Sequence, residues 1–449
     1  MSFLRGLIAG RSHVAVLLGL VTAALTVGAV HRLSTDGESW TTFAEIAPPA
    51  SEVPIRPSGA LDDGEKALAI AAWSYFERNT DSRTGLAGSV KGQPTTTLWD
   101  IGSQLLAVLA AEDLELVPRG CGEALLGSAL RSLAAMPLCP DGLPNKAYDV
   151  RSLEMVSSAG RPAPDCVGWS ALDVARALLP LSLVVWRHPE LTPLVRTAVA
   201  RWRLEALSDG SGLHGASRGS RGRLEIAQEG RLGYEQHAAK ALLRWGLPAE
   251  GLLDYGAHAR FAHVLGQPVP LDSRRARDHD AAPAALVPEP WLLDALENGL
   301  DAVTLPVTRA LLRAQERRYA TTGRLTAVSE DALDRAPWFA YSAVLNGDER
   351  WTALAPGGTR AEGALTFSAK AAVAWGVLFS GDYPERLLAA ARELVVPGEG
   401  IWAGRYDATW EPNRVLSLNT NAVVLEALAY RVRGPAVRAS AADPTEETR

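Results

Sequence analysis

Thr95-Thr96-Thr97-Leu98-Trp99-Asp100-Ile101-Gly102 leads three hydroxyls straight into an apolar run, Ser103-Gln104-Leu105-Leu106-Ala107-Val108-Leu109. Thr97 and Asp100 stand three apart, the spacing of a helix N-terminal capping box with Asp in place of Glu. Trp99 and Asp100 then fall in the first helical turn, where free backbone N–H groups and the positive dipole end favour a carboxylate. Alone this is a capped helix. Its weight comes from repetition. Gly168-Trp169-Ser170-Ala171-Leu172-Asp173 repeats the Trp and the capping pair, and Gly233-Tyr234-Glu235-Gln236-His237 opens a further apolar helix. Phe367-Ser368-Ala369-Lys370 opens another, and Leu418-Asn419-Thr420-Asn421 the last, with Glu426 further in.

Hydrophobic periodicity predicts twelve amphipathic helices. Ala/Leu-rich helices with few charges are predicted over 97–111, 170–183, 234–245, 368–379 and 420–431. Helices with a charged face are predicted over 63–78, 121–136, 191–207, 249–265, 307–319 and 384–395. A weaker apolar helix is predicted over 290–300. Apolar helices are buried on all sides and charged-face helices lie outside. The apolar set recurs roughly every 60 residues once the 290–300 helix fills a double gap, which is a repeat of helix hairpins. Six hairpins closing on themselves give the expected fold, an all-α (α/α)6 toroid with short β-like loop segments. An open α-solenoid is the competing layout.

The ends read differently. Val14 to Val30 is an apolar run with Arg5 and Arg11 before it and Arg32 after. Residues 1–33 are therefore expected to be an N-terminal membrane anchor or a signal peptide, the remainder facing the periplasm or cell exterior. Residues 34–60 form a Pro-rich linker, 61–433 the toroid domain, and 434–449 a disordered tail. The net charge of −6 carries no basic excess and argues against nucleic acid. Three cysteines, Cys121, Cys139 and Cys166, form no CxxC or Cys/His cluster, so neither a metal nor any other cofactor is expected. The same absence of zinc ligands argues against a toroidal cyclase of the lanthionine type. An exported chain has room for one disulfide and one free thiol, whose pairing the spacing leaves open.

In a toroid the inner-helix starts lie at one end, so the decorated segments converge on one cleft. Asp100, Asp173, Glu235 and Asn421 are expected to ring it, with Trp99 or Trp402 in its wall. Loops before those helices add Tyr148 and Asp149 from Gly142–Asp149, Trp402 and Arg405 from Ile401–Tyr406, and Glu225 and Glu229 from Arg223–Arg231. Aromatic faces beside amides and carboxylates suit sugar rings and hydroxyls. Glu235 has no capping partner three residues before it and is the expected general acid, raised by its apolar surroundings. Asp100, kept ionised by the helix dipole, is the expected second carboxylate. Trp99, Tyr148, Trp169 and Trp402 would stack sugars. Tyr234, Asp149, Asp173, Lys370, Arg405, Asn419 and Asn421 would contact them. Each also has a structural explanation: Asp173, Asn419 and Asn421 as caps, Lys370 as an ion-pair partner, and His237 as a packed histidine.

Taken in order, Thr-Thr-Thr-Leu-Trp-Asp-Ile-Gly, Leu-Pro-Asn-(x)2-Tyr-Asp, Gly-Trp-Ser-Ala-Leu-Asp, Gly-Tyr-Glu-Gln, Ser-Ala-Lys-Ala-Ala and Leu-Asn-Thr-Asn-Ala-Val-Val-Leu-Glu resemble the DUF3131 family of exported bacterial proteins. The resemblance covers about residues 61–433. That family is distantly similar to (α/α)6 glucoamylase-like glycosidases, including β-1,2-glucanases, which implies the toroid and a carbohydrate context and transfers no catalytic residue. The expected function is an exported glycoside hydrolase or transglycosylase acting on a bacterial polysaccharide or glucan. The alternative is a non-catalytic glycan-binding or polysaccharide-assembly protein, held at the cytoplasmic membrane by the N-terminal segment.

Overall fold

Asp62 opens the first helix with a complete capping box, accepting from the Glu65 amide at 2.8 Å while Glu65 Oε2 accepts from the Asp62 amide at 2.9 Å. The computed structural model describes residues 53–219, 222–274 and 284–437. Eleven α-helices run through the described residues: α1 (Asp63–Asn79), α2 (Leu98–Asp113), α3 (Arg119–Ala135), α4 (Ala171–Arg187), α5 (Thr192–Val199), α6 (Tyr234–Arg244), α7 (Glu289–Asn298), α8 (Thr304–Thr322), α9 (Ala369–Leu378), α10 (Asp382–Arg392) and α11 (Leu418–Arg433). Each of the predicted apolar helices is present, including the weak one at α7.

Packing follows the two helix characters. Every residue of α9 is buried, and α2 is buried from Asp100 to Ala111, as helices apolar on all sides must be. The inner neighbours are α2–α4, α4–α6, α6–α7, α7–α9, α9–α11 and α11–α2. That last pair brings the final helix back to the first inner one, so the hairpins close into a ring. Outside it, α1 packs on α11, α3 on α2 and α5, α8 on α7, and α10 on α9. Gly102 permits the α2–α4 approach: a Cβ there would lie 2.6 Å from the Arg176 carbonyl oxygen.

The all-α description needs correcting, because fifteen short strands form five antiparallel sheets among the described residues. They are β1 (Thr95–Thr96), β2 (Ala147–Asp149) and β3 (Met155–Val156); β4 (Gly168–Ser170), β5 (Leu213–Arg218) and β6 (Leu224–Glu229); β7 (Ala259–Val264) and β8 (Gln267–Asp272); β9 (Glu330–Ala332), β10 (Phe339–Asn346) and β11 (Glu349–Leu354); β12 (Thr366–Ser368), β13 (Val395–Val396), β14 (Gly400–Tyr406) and β15 (Pro412–Leu416). Strands β1, β4, β12 and β15 run almost directly into α2, α4, α9 and α11, so three of the five sheets stand at the N-terminal end of inner helices.

Two helix expectations fail. The helix expected over 249–265 is replaced by 3-10 turns at Glu250–Leu253 and Tyr255–Ala257 followed by β7. Asp254 accepts from the Gly256 amide at 2.8 Å, a local turn that competes with helix propagation. The helix expected over 191–207 shortens to α5 and a separate 3-10 turn, Leu204–Ala206.

The boundaries shift as well. Val53 is buried and Ile55 bridges to Phe379, so the end of the expected 34–60 linker belongs to the folded unit. Beyond Gly434, the Ala436 and Val437 amides donate to the Leu296 and Glu297 carbonyls at 3.1 and 2.8 Å, so the expected tail begins docked. The expected anchor at 1–33 lies outside the described residues, as do 34–52 and 438–449. Among the described residues no helix is long and apolar enough to cross a membrane. Cys139 and Cys166 form a disulfide with Cα atoms 5.3 Å apart, and Cys121 is free and exposed.

Candidate active site at the mouth of the ring

The same cap closes three inner-helix starts. Thr97 Oγ1 accepts from the Asp100 amide at 3.1 Å, Ser170 Oγ from Asp173 at 3.1 Å, and Ser417 Oγ from Thr420 at 3.2 Å. The first turns meet in space. Trp99 Nε1 donates to Asn419 Oδ1 at 3.4 Å, and Asn419 Nδ2 to Glu289 Oε1 at 3.2 Å. Lys370 Nζ donates to that same Glu289 oxygen at 2.6 Å, and the Trp99 ring lies 6.2 Å from Tyr234. The N-terminal turns of α2, α6, α7, α9 and α11 therefore share one mouth.

Below the mouth the ring is plugged by buried charge. Arg176 pairs with Glu297 and, at 2.8 Å, with Glu426, while its guanidinium lies 5.4 Å from the Trp99 ring centre. His237 Nε2 meets Glu297 at 2.8 Å. Burial opposes the Glu297 carboxylate, yet Arg176 and His237 hold its pKa below the ordinary range. Burial raises Glu426 to about 8, with Arg176 opposing and Glu297 adding to the rise. This network separates the mouth from the far end of the ring.

Strand β9 brings Glu330 to the mouth and sets Asp331 behind it. Half-buried Glu330 is pushed up to about 7 by burial and by Glu289, against Lys370. Asp331 is buried on the other face of the strand, accepts from Thr366 and Ser368 at 3.0 and 3.1 Å, and is raised to about 6, burial again leading. Burial works against the Lys370 ammonium, but Glu289, Asp331 and Glu330 hold its pKa above the ordinary value. The buried Tyr234 hydroxyl faces Glu330 and Glu289 without a well-formed hydrogen bond, which leaves a polar group at the mouth to be satisfied. Half-buried Asp173 is raised to about 8 by burial, then by Glu229 and Asp100. Glu229, also raised by burial, accepts from the Ala171 amide at the start of α4 at 2.6 Å. Burial raises the pKa of the Tyr341 hydroxyl on β10, and the charges of Glu330, Asp173 and Glu229 add to the rise.

Several expected residues take other roles. Glu235 is forked by Arg274, Oε1 to Nη1 at 2.9 Å and Oε2 to Nη2 at 2.5 Å, so neither oxygen is free to deliver a proton as the expected general acid. Asp100 was expected to stay ionised. Burial instead raises it, against hydrogen bonds from Ser89 at 2.5 Å and Thr97 at 2.8 Å, because desolvation outweighs the helix dipole. Trp169 is fully buried with Nε1 on Asp141 at 2.6 Å and cannot stack a sugar. Tyr148 is fully buried and donates to the Pro137 carbonyl at 2.7 Å, which excludes it likewise. Asn421 is fully buried, its amide bonded to Ser417 O and Ile401 N, so it braces β14 and lines no pocket. Asp149 caps the turn at Arg151 and Ser152. Trp402 and Arg405 lie on β14, beneath Arg414 and paired with Glu393 respectively. Trp99, Tyr234 and Asn419 are half-buried at the mouth; Lys370, expected to contact the sugar, is instead fully buried as the ion-pair partner of Glu289, and Asp100 and Glu235 are buried behind the mouth.

Sequence reasoning missed Glu289, Glu330, Asp331 and Tyr341. Glu289 stands at the first position of α7, as Asp100 and Asp173 stand near the starts of theirs, and that signal was available. Glu330 and Tyr341 carry no such mark, because cross-strand pairing puts them in place.

The fold and the mouth define a closed ring of helix hairpins with an aromatic, carboxyl-rich end. The chain belongs to DUF3131, a family described as proteins of unknown function, whose pattern matches residues 67–434. Among curated proteins none matches it in sequence. In structure it is similar to a glucoamylase-like protein from Bacteroides fragilis, at 13% identity and TM-score 0.57, covering 86% of this chain and 94% of that one. It is similar to the endo-β-1,2-glucanase of Chitinophaga pinensis, solved with sophorotriose and glucose, at 10% identity and TM-score 0.57, covering 84% and 94%. The endo-β-1,2-glucanase of Talaromyces funiculosus, solved with sophorose, is similar at 12% identity and TM-score 0.54, covering 83% and 84%. At these identities the likeness establishes the glucoamylase-like (α/α)6 fold.

Proposed function

We propose that this protein is an exported glycoside hydrolase or transglycosylase that cleaves a glucan-type polysaccharide at the ring mouth. The observation that carries the reading is Glu330, a half-buried carboxyl raised to about 7 beside Tyr234, Tyr341 and Trp99. A general acid works best when its pKa lies near the working pH. Glu330 gives its proton to the glycosidic oxygen as the C–O bond breaks. Asp173, raised to about 8, keeps a proton at neutral pH, and its neighbour Glu229, in its ionised form, takes the proton from the water or acceptor sugar hydroxyl that bonds to the anomeric carbon. Trp99 offers a half-buried ring for a sugar face and Asn419 a half-buried amide for hydroxyls, while Lys370, buried on Glu289, sets the charge beneath them. Export is supported by the Cys139–Cys166 disulfide and by the apolar run at 14–30 after Arg5 and Arg11.

The test is reducing-end release from a panel of linear β-1,2-, β-1,3- and α-1,4-glucans by the purified chain and by Glu330→Gln. Release from one polymer, reduced by about 100-fold or more in the variant with binding retained, is the expected result. Binding without release from any polymer, unchanged in the variant, would replace the enzyme with a glycan-binding protein.

A further inference from the structure

At the end of the ring remote from the mouth, α4 stops on His188, whose amide donates to the Val184 carbonyl at 2.7 Å. The imidazole is fully buried. It stands between two carboxylates. Nε2 lies 3.0 Å from Glu112 Oε2 at the end of α2, and Nδ1 lies 3.2 Å from Glu190 Oε1 in the turn that leads to α5. Glu123 of α3 is the third acid, and one donor atom each from Glu123, His188 and Glu190 lie within 4.8 Å of one another.

A neutral imidazole has one N–H and one lone pair. The Glu112 side chain is 7% exposed, and its Oε1 makes no hydrogen bond. A Cβ at Gly122 would collide with that oxygen, so the carboxylate is wedged against α3. Arg187 reaches Glu112 Oε2 only at 3.4 Å, being forked on Asp113. The imidazole Nε2–H is therefore the donor that this buried carboxylate requires. That assignment turns the Nδ1 lone pair toward the Glu190 oxygen, acceptor against acceptor, unless a cation stands between them.

Two cations can stand there, a proton or a metal ion. A proton on Nδ1 joins His188 to Glu190 and leaves Glu123 aside. Glu123 is half-buried and makes no ion pair among the described residues. Arg119 reaches Glu190 at 3.4 Å and is otherwise held by the Arg187 carbonyl, so it does not serve Glu123. A metal ion takes all three donors. Tetrahedral Zn2+, with ligands at about 2.0–2.2 Å, sets its donors roughly 3.3–3.6 Å apart, close to the separation of Nδ1 and Glu190. Glu112 on the other ring nitrogen is then the outer carboxylate that ligating histidines commonly carry. Imidazole among the donors favours zinc over magnesium or calcium, which take oxygen ligands.

We propose that Glu123, His188 Nδ1 and Glu190 bind one divalent cation of the zinc class, which clips the start of α3 to the turn after α4. Three protein donors leave a fourth position for water. The role of the cation is structural, because it sits at the C-terminal ends of α2 and α4 while the mouth is built from helix N-termini. The donors come from separate elements, so no Cys or His spacing in the sequence marks them.

The experiment uses the untagged full chain with Zn2+ alone as the probe. Calorimetry and metal analysis, after chelator treatment and dialysis against Zn2+, give stoichiometry and affinity, and thermal melting gives the stabilisation. The expected result is one Zn2+ per chain and a melting temperature that rises with Zn2+ and falls back with chelator. Affinity is expected to be about tenfold or more weaker in Glu123→Gln. Glu123 makes no ion pair of its own, so that variant is expected to melt like the unaltered chain when both are free of metal, which separates lost binding from lost folding. Should Glu123→Gln not fold, the exposed Glu190→Gln takes its place with the same expected result. Zn2+ held equally by variant and unaltered chain overturns the site, as does a chain that binds none. An equal stabilisation by Mg2+ overturns ligation by His188.

Discussion

Arg176 shows how much of this ring depends on single side chains. Its guanidinium is buried between Glu297 and Glu426, with Ser103 Oγ 3.2 Å from Nε. Removing one partner of a buried charge cluster leaves the others uncompensated, at a cost of about 3–5 kcal/mol. Arg176→Met is therefore expected to destabilise the fold by that amount in denaturant titration. A loss below about 1 kcal/mol would mean that Glu297 and Glu426 find other partners. The capping residues were legible in the sequence, because Thr97–Asp100 and Ser170–Asp173 are contacts three residues apart. Burial of aromatic rings was not. Trp99 lies in the first turn of α2 and Trp169 on β4 just before the cap of α4; Trp169 is fully buried on Asp141, whereas Trp99 opens to the mouth.

At the scale of elements, apolar helices were read from composition and their alternation gave the ring. The helix at α7 was weakest in the sequence because it is short and has Pro288 and Pro290 at its start, yet it carries both Glu289 and Glu297. The strands were harder to read: β9 is three residues long, and its pairing with β10 decides where Glu330 sits. Pairing of such short segments is a tertiary outcome with little local signal. The helix contacts make their own prediction at Gly102. A methyl group there would press on the backbone of α4 at 2.6 Å, and backbone cannot rotate aside. Gly102→Ala is expected to lose about 1–3 kcal/mol despite the better helix propensity of Ala. A gain in melting temperature would show that α2 and α4 have room to separate.

For the whole molecule, the Cys139–Cys166 bond closes a span of 27 residues linking the end of the second outer helix to the start of the next inner one. Loop-closure entropy for that length corresponds to about 3–4 kcal/mol. Reductant should lower the melting temperature by that equivalent, and unchanged melting would mean that the packed ring restrains the loop unaided. Activity depends on the mouth as a unit. Glu330 must be protonated to act as acid, and its raised value places that form below about pH 7. Activity is then present on the acid side and lost as pH rises through that value. The most direct test is the pH dependence of kcat/KM on the cleaved glucan, for the unaltered chain and for Glu330→Gln. The account predicts an alkaline limb near pH 7 in the first, falling about tenfold per unit, and its absence from the residual rate of the second. A limb that survives in Glu330→Gln would contradict the assignment of Glu330 as the acid.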